Sequence, residues 1–230
     1  MPKGKLIVID GTDGSGKATQ TKLLVSRLRK NRIPAEGLDF PQYRTFFGKL
    51  VARYLKNEFG RLNPYLAAVL YADNRLEFKD KLLGWLAEGR TVVLNRYVSS
   101  NQIHQAAHLT NRGERHKFVK WISEMEYKTM GLPRPDLVIY LNMPPETAYQ
   151  LILRKDKASR QYINGDKRDM LESDLEHQRL ATRQAIDLLN NHYNWTGVNC
   201  TEKDELRTKQ AISDDVWQAV AKLLKFKTKK

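Results

Sequence analysis

Hydrophobic residues along this chain fall into short apolar runs that alternate with longer amphipathic segments. The short runs are rich in β-branched residues and have the length of buried strands; they lie at 6–9, 38–40, 91–97, 137–141 and 195–200. The longer segments predict helices at about 17–30, 63–89, 98–109, 114–130, 144–154, 167–192 and 204–224. Strands that alternate with helices predict a five-stranded parallel sheet inside a three-layer α/β/α fold.

Several helix ends carry their own signals. Asn63 and Pro64 suit the N-cap and the first position of the helix predicted at 63–89, which Gly89 would end. Ser99 is the predicted N-cap of the helix that follows the third strand.

The first strand leads into a glycine-rich loop and a helix. Gly11, Gly16 and Lys17 fit the pattern G-x-x-x-x-G-K, which binds the phosphates of nucleotides. Glycines let backbone N–H groups approach the phosphate oxygens, the helix N-terminus adds attraction, and the lysine supplies a positive charge. The sequence therefore predicts a nucleoside triphosphate site at Gly11, Thr12, Asp13, Gly14, Ser15, Gly16, Lys17, Ala18 and Thr19.

Composition narrows the class of protein. The 230 residues carry a formal net charge of +14, which favours polyanionic partners such as nucleic acids or phosphorylated small molecules. The length predicts a single domain over 1–230. Cys200 is the only cysteine, so an intramolecular disulfide is excluded. Because the sequence has no apolar run of membrane-spanning length and no secretory signal pattern, we expect a cytoplasmic protein without membrane contacts.

Three further clusters carry candidate chemistry. Tyr71 and Arg75 are four residues apart on a predicted helix and share a face; alternatively they are a core tyrosine beside a surface arginine. Arg96 lies at the carboxyl end of the third strand, just beyond its last apolar residue, at the edge where parallel sheets bind ligands. The stretch at 154–168 is polar and basic, which suits either a solvated loop or a mobile lid with Arg154, Arg160 and Arg168 available to contact phosphates.

In combination these blocks resemble the thymidylate kinases, which are P-loop nucleoside monophosphate kinases. The similar segments are IDGTDGSGKATQ, FPQYRTFFGKL, YADNRLE, NRYVSSNQIHQ and GLPRPDLVIYL, followed by the basic lid, in the family's order. The resemblance implies a P-loop NTPase fold, phosphorylation of dTMP to dTDP with ATP and Mg²⁺, and a homodimer formed through helices. Its partners would be dTMP and ATP rather than nucleic acid.

The resemblance also implies roles for individual residues. Asp13 would accept a hydrogen bond from the 3′-hydroxyl of the nucleotide, Tyr71 would stack on thymine, and Arg75 would bond the base or the monophosphate. Arg96 would hold phosphate near the point of transfer. The remaining residues implied to bind the acceptor are Phe40, Arg44, Ser100, Asn101, His104 and Gln105.

Catalysis in this family needs charge neutralisation more than covalent chemistry. Lys17, Arg96 and a lid arginine would provide it, since the loop positions 12–15 hold no arginine. Arg160 is the first candidate in the lid and Arg154 is the second. Arg44 is expected to contact the acceptor phosphate, although Tyr43 aligns almost as well.

The chain departs from the family pattern at the metal site. Ala18 stands where the loop motif has Ser or Thr to bind Mg²⁺, and Thr19 is turned by about 100° around the helix. Asn95 stands where the family has Asp. Asp10 is the nearest remaining carboxylate and is predicted to hold a metal-bound water, unless the ATP phosphates hold most of the Mg²⁺ shell themselves. His104 replaces a tyrosine near the 2′ position of the sugar.

Three other functions are compatible with these features. The protein could phosphorylate another deoxynucleoside or pyrimidine monophosphate, such as dUMP, dGMP, UMP or CMP. Ala18 and Asn95 together would suit a catalytically impaired nucleotide-binding homologue. The charge of +14 alone would suit a nucleic-acid-binding protein.

Overall fold

A computed structural model describes residues 4–154 and 175–226, without the side chains of 153 and 154. Its centre is a sheet of five parallel strands in the order β2-β3-β1-β4-β5. The strands are β1 (Leu6–Gly11), β2 (Ala35–Asp39), β3 (Thr91–Asn95), β4 (Leu137–Asn142) and β5 (Trp195–Asn199). The predicted number of strands and their parallel direction are confirmed.

Nine helices are described around the sheet. They are α1 (Lys17–Lys30), α2 (Phe46–Leu55), α3 (Pro64–Leu76), α4 (Lys79–Ala87), α5, α6, α7 (Pro145–Arg154), α8 (Leu175–Asn191) and α9 (Lys209–Leu223). Helix α5 begins at Val98–Ser100 and continues as the π-helical turn Asn101–Gln105 and the 3₁₀ turn Ala106–His108. Helix α6 is Arg112–Glu124, and the π-helical turn Met125–Thr129 prolongs it.

Alternating residues of the central strand pack into two hydrophobic cores, one on each face of the sheet. Leu6 and Val8 belong to the core that α3, α4, α5, α6 and α8 cover. Ile7 and Ile9 belong to the core that α1, α7 and α9 cover. Because successive side chains of a strand point to opposite faces, this partition gives the predicted three-layer α/β/α fold.

The helix predicted at 63–89 is in fact two helices. Its start is confirmed, since Asn63 Oδ1 accepts a hydrogen bond from the Tyr65 N–H at 2.9 Å and Pro64 is the first helical residue. The helix then ends at Leu76, and α4 begins at Lys79. The break places the Phe78 ring edge-on against Phe40, with ring centroids 5.7 Å apart. The hydrophobic periodicity of the segment itself does not indicate such a long-range contact.

The C-terminal region also differs from the sequence prediction. The last helix begins at Lys209 rather than at 204, because a two-stranded hairpin, β6 (Thr201–Glu202) and β7 (Glu205–Leu206), comes first. Its turn residues Lys203 and Asp204 both have positive φ angles, as tight hairpin turns require. The predicted helix at 167–192 is described only from Leu175. No helix in the described ranges is long and apolar enough to span a membrane.

Candidate active site

The loop between β1 and α1 forms a cradle for an anion. Gly16 has a φ of 90° and directly precedes α1, and a Cβ atom on it would have no other atom within 4 Å. The hydroxyl oxygens of Thr12 and Ser15 are buried and have no hydrogen-bond partner among the described residues. Open space, unpaired polar atoms and a helix N-terminus together suit a phosphate group.

The cradle is shaped by close packing on its other side. A Cβ atom at Gly14 would lie 2.4 Å from the carbonyl oxygen of Ala148 in α7, so no side chain fits there. At Gly11 a Cβ atom would lie 2.6 Å from Ser15 Oγ. Both glycines therefore allow the loop to fold tightly against its neighbours.

Lys17 reaches back over the loop. Its Nζ atom donates to the carbonyl oxygens of Gly11 at 3.0 Å and Thr12 at 2.8 Å, and it lies 3.5 Å from Asp13 Oδ1. The residue is 7% exposed. The ammonium group is thus held at the loop, against carbonyl groups that a phosphate can replace.

Arg96 is positioned by the end of β3. Its backbone N–H donates to Ile9 O at 3.1 Å, and its φ of 64° is unusual for a residue with a Cβ atom. Strained backbone of this kind occurs at functional sites. The guanidinium reaches the loop after β1, where Nη2 donates to Asp13 Oδ1.

Asp13 stays ionised in this arrangement. Burial by itself would raise the pKa of its carboxyl group, but the Arg96 guanidinium and then the Lys17 ammonium hold that pKa far below its usual range. The two cations and the single anion leave a net positive charge beside the cradle. Such a charge suits binding of a phosphorylated ligand.

His104 lies on the other side of Arg96. Its Nε2 atom is 3.1 Å from Arg96 Nη1, and the residue is 9% exposed. Burial, the Arg96 charge and the nearby His177 and Lys17 lower its pKa well below that of an ordinary histidine, against the opposing effect of Asp13. The imidazole is therefore neutral at physiological pH.

Asp10 is saturated by hydrogen bonds from its own chain. Its fully buried carboxylate accepts from Ser99 Oγ at 2.6 Å, from Ser100 Oγ at 2.8 Å and from the Gly11 N–H at 2.9 Å. The prediction that Ser99 caps a helix is wrong, because α5 begins at Val98 and the Ser99 hydroxyl is bonded to Asp10 instead. Asp10 thus fastens the start of α5 to β1.

The described residues do not fit a metal site built by the protein. Asp10 and Asp13 are both engaged with donors from the chain, and Ala18 offers no oxygen. Within the described ranges there is no group of three or more His, Cys, Asp or Glu residues that could hold a metal ion.

Arg75 is committed to an ion pair that the sequence did not indicate. Its Nε and Nη2 atoms donate to the two oxygens of Glu126 at 2.6 and 2.7 Å, and both side chains are buried. Asn101 joins them, because its Nδ2 atom donates to Glu126 Oε1 at 3.1 Å and to Ala68 O at 3.0 Å. Glu126 thereby fixes two of the predicted acceptor residues.

The segment after β2 is held by a buried amide. Asn74 Oδ1 accepts from the Gln42 N–H at 2.8 Å, and Asn74 Nδ2 donates to Gln42 O at 3.3 Å and to Thr45 Oγ1 at 3.0 Å. This clamp holds the residues on either side of Arg44, whose side chain is exposed. Asn74 was contained in the YADNRLE block but was not singled out.

The structure brings some predicted residues together and separates others. Lys17, Asp13, Arg96 and His104 form one contact chain. Phe40 lies in the core against Phe78 and Tyr97, and Tyr71 packs edge-on against Tyr54. Ser100 is turned to Asp10, while Gln105 is buried with an amide oxygen that has no partner among the described residues.

The lid prediction lies mostly outside the described residues. Arg160 and Arg168 belong to 155–174, and for Arg154 only the helical backbone is described. The sequence did not indicate Glu126, which is the partner of Arg75, or His177, whose ring lies beside that of His104. Each lies in a polar helix where a charged or histidine side chain is ordinary, so no local signal marked it.

Comparisons with known proteins identify the family of the chain. The family model for thymidylate kinase matches residues 9–212. The chain is 36% identical over 146 residues to the thymidylate kinase of Plasmodium falciparum, which covers 64% of this chain and 65% of that protein. It is 38% identical over 146 residues to the thymidylate kinase of Schizosaccharomyces pombe, and this match covers 64% of both chains. The match thus spans less than two thirds of the length of these relatives.

The fold has a close structural counterpart as well. The thymidylate kinase of Candida albicans superposes with a TM-score of 0.73 at 23% sequence identity, covering 97% of this chain and 93% of that one. Since the family model covers most of the chain, including the phosphate loop, Arg96 and the α5 segment, the chain belongs to the thymidylate kinase family.

Proposed function

We propose that this protein transfers the γ-phosphoryl group of ATP to dTMP, giving dTDP and ADP. The observation that carries the proposal is the contact chain from Lys17 through Asp13 to Arg96, beside an open phosphate cradle, in a chain of this family. In the reaction an oxygen of the dTMP phosphate bonds to the γ-phosphorus, and the bond from that phosphorus to the β-phosphate oxygen breaks.

The residues at the cradle can act by holding the donor. The N-terminus of α1 and the hydroxyls of Thr12 and Ser15 would bind ATP phosphates. Lys17 would exchange its hydrogen bonds to two loop carbonyls for bonds to phosphate oxygens. Its positive charge would then stabilise the negative charge that spreads over these oxygens in the transition state.

The acceptor would lie on the side of Arg96. Both described contacts to the Asp13 carboxylate use Oδ1, so Oδ2 can accept a hydrogen bond from the 3′-hydroxyl of the nucleotide. Arg96 would neutralise phosphate at the point of transfer, and Tyr71 would offer its ring face to the base. Arg44, Arg75, Ser100, Asn101, His104, Gln105 and Phe40 remain proposed members of the acceptor site.

Three further parts of the proposal go beyond the described residues. Mg²⁺ would be held by ATP and water, because the residues that the structure describes include no group of three or more His, Cys, Asp or Glu that could hold it. A lid arginine, Arg160 before Arg154, would complete charge neutralisation. The protein would act as a homodimer, which light scattering on a sizing column can test.

The decisive experiment measures ADP release with ATP, Mg²⁺ and each of dTMP, dUMP, dGMP, UMP and CMP. Turnover should be highest with dTMP. Lys17→Ala should lower kcat roughly 100-fold or more, because a donor aimed at developing charge is lost. Lys22→Ala is the matched control, since Lys22 is an exposed lysine of the same helix, and its kcat should stay at the wild-type value.

Two results would overturn the proposal. A different preferred acceptor would reassign the substrate. Binding of dTMP and ATP without any turnover would mean that the protein is a nucleotide-binding homologue rather than a kinase.

A further inference from the structure

We propose that His177 is a positioning residue, which fixes the ring of His104 and through it the guanidinium of Arg96. The inference rests on the proposed function, because Arg96 matters only if phosphate is transferred beside it. His177 belongs to α8, far along the chain from both residues that it would control.

Three imidazole rings lie in one stack between α5 and α8. The ring of His177 is parallel to that of His108 within 23°, with centroids 4.4 Å apart, and to that of His104 within 26°, with centroids 5.7 Å apart. His177 is 5% exposed. Its ring is therefore held in place by contacts with rings from one neighbouring helix.

The two helices are also joined by a polar contact. Gln184 of α8 donates from Nε2 to the backbone oxygen of Gln102 in α5 at 3.2 Å, and Gln184 is 3% exposed. This bond lies two helical turns beyond His177 on the same helix. It keeps α8 in register with α5, so the histidine stack has a defined geometry.

The contact between His104 and Arg96 requires one state of the His104 ring. A guanidinium can only donate, so His104 Nε2 must accept, and the proton of the neutral ring must be on Nδ1. Within the described ranges, the charged groups that face His104 are Arg96, Asp13 and Lys17, with His177 as the neighbouring titratable ring. A proton on Nε2 would set two donors against each other and release Arg96.

A ring held on one side by His177 and on the other by Arg96 has little freedom to flip. Without His177, His104 could rotate or admit water, and either change would loosen Arg96. Since a misplacement of about 1 Å can cost about 100-fold in rate, a partial loosening should lower kcat about 10-fold. The effect should fall on kcat more than on the KM for dTMP, because Arg96 acts at the phosphoryl group.

The kinetic test uses three single variants of the full chain. His177→Leu removes the ring and should lower kcat about 10-fold, while the KM for dTMP changes less than about threefold. His177→Phe keeps a flat ring in the stack and should retain kcat within about twofold. His116→Ala is the control, since His116 is an exposed histidine whose Nε2 lies 3.1 Å from Asp187 in α8, and it should leave kcat unchanged.

A double-mutant cycle shows whether His177 acts through His104. In the His104→Phe background the further change His177→Leu should have almost no effect on kcat. The pH profile gives a second readout. Water admitted by His177→Leu would raise the pKa of His104 toward its ordinary value, so activity should begin to fall at a higher pH as the solution is made acidic.

A measurement without substrate separates this inference from the proposed function. In nitrogen-correlated NMR spectra of the wild type, His104 should show a proton on Nδ1 and none on Nε2, and His177→Leu should show a mixture of tautomers. An unchanged tautomer in His177→Leu, additive effects on kcat in the cycle, or a kcat of His177→Phe as low as that of His177→Leu would overturn the inference. Absence of turnover in the wild type would instead count against the proposed function.

Discussion

The guanidinium of Arg75 and the carboxylate of Glu126 form two parallel hydrogen bonds in a region that solvent barely reaches. Parallel bonds of this kind are the strong geometry for an arginine and a carboxylate. Removing one partner of a buried pair leaves the other charge uncompensated, which costs more than the pair itself contributes. Glu126 therefore holds the Arg75 side chain in position and compensates its buried charge.

We expect Glu126→Ala to lower the free energy of unfolding by about 3–5 kcal/mol, as for other buried pairs that lose one charge. Urea denaturation monitored by circular dichroism measures it. Glu124→Ala is the matched control, because Glu124 pairs with Lys128 at 3.6 Å on the exposed face of the same helical segment. That variant should lose only about 0.3–0.5 kcal/mol. Equal losses in the two variants would show that the buried pair contributes no more to the free energy of unfolding than the exposed pair.

Gly48 is required by the clamp that positions Arg44. A Cβ atom at Gly48 would lie 1.8 Å from the backbone oxygen of Gln42, so Gly48→Ala must displace the loop. We expect the KM for dTMP to rise about 10-fold and the free energy of unfolding to fall by about 1–3 kcal/mol, as for other overpacked sites. Steady-state kinetics and urea denaturation measure the two effects.

A second glycine provides the control for this substitution. Gly84 lies in α4, and a Cβ atom there would meet nothing within 4 Å. Gly84→Ala should stabilise the protein by about 0.5–1 kcal/mol, because alanine favours the helix, and it should leave KM unchanged. If Gly48→Ala behaved like Gly84→Ala, the loop at Gln42 would not be held tightly against α2.

The parts that the sequence could predict are those with a local signature. The strand, loop and helix around Lys17 follow from an apolar run, glycine spacing and helical periodicity, and all three are found. Asn63 and Pro64 similarly mark the start of α3 with short-range bonds. Each of these features is decided by residues a few positions apart.

The parts that the sequence could not predict depend on contacts between distant segments. The break before α4 accompanies the packing of Phe78 on Phe40, and the partner of Arg75 is 51 residues away. The polar side chains of α5 are also buried, which no local pattern indicates. They are buried because Asp10, Glu126 and Ser123 supply partners for Ser99, Asn101 and Gln102.

The ion pair of Asp13 makes a prediction about pH. Its pKa in the folded state is depressed below the unfolded value of about 3.9, so Asp13 stabilises the fold at pH values above about 4. That stabilisation is lost as the pH falls toward the folded pKa. The free energy of unfolding of Asp13→Asn should therefore lie furthest below that of the wild type at pH 7, and the two should converge at lower pH.

Urea denaturation at pH 7 and pH 3 measures this convergence. Asp204→Asn serves as the control. Asp204 is exposed in a hairpin turn, and asparagine readily adopts the same backbone conformation. Its free energy of unfolding should differ from the wild type by less than about 0.5 kcal/mol at pH 7. A constant difference between wild type and Asp13→Asn across the two pH values would mean that Arg96 and Lys17 do not depress the Asp13 pKa.

The absence of a hydroxyl at position 18 makes a prediction about magnesium. Ala18 lies in the first turn of α1, at the position from which the loop motif supplies a metal ligand, and it is exposed. Ala18→Ser should lower the Mg²⁺ concentration that gives half-maximal kcat, by about 3- to 10-fold for one added oxygen ligand. Titration of Mn²⁺ into the complex with a non-hydrolysable ATP analogue, followed by electron paramagnetic resonance, measures the same gain without turnover.

Thr19→Ala separates the two neighbouring positions of α1. If Thr19 is turned away from the metal, as the helix geometry requires, its removal should leave the Mg²⁺ dependence unchanged. A loss of Mg²⁺ affinity in Thr19→Ala would show that this hydroxyl already replaces the missing one. No gain in Ala18→Ser would show that ATP and water complete the shell, so the chain would have lost the ligand at no cost in metal binding.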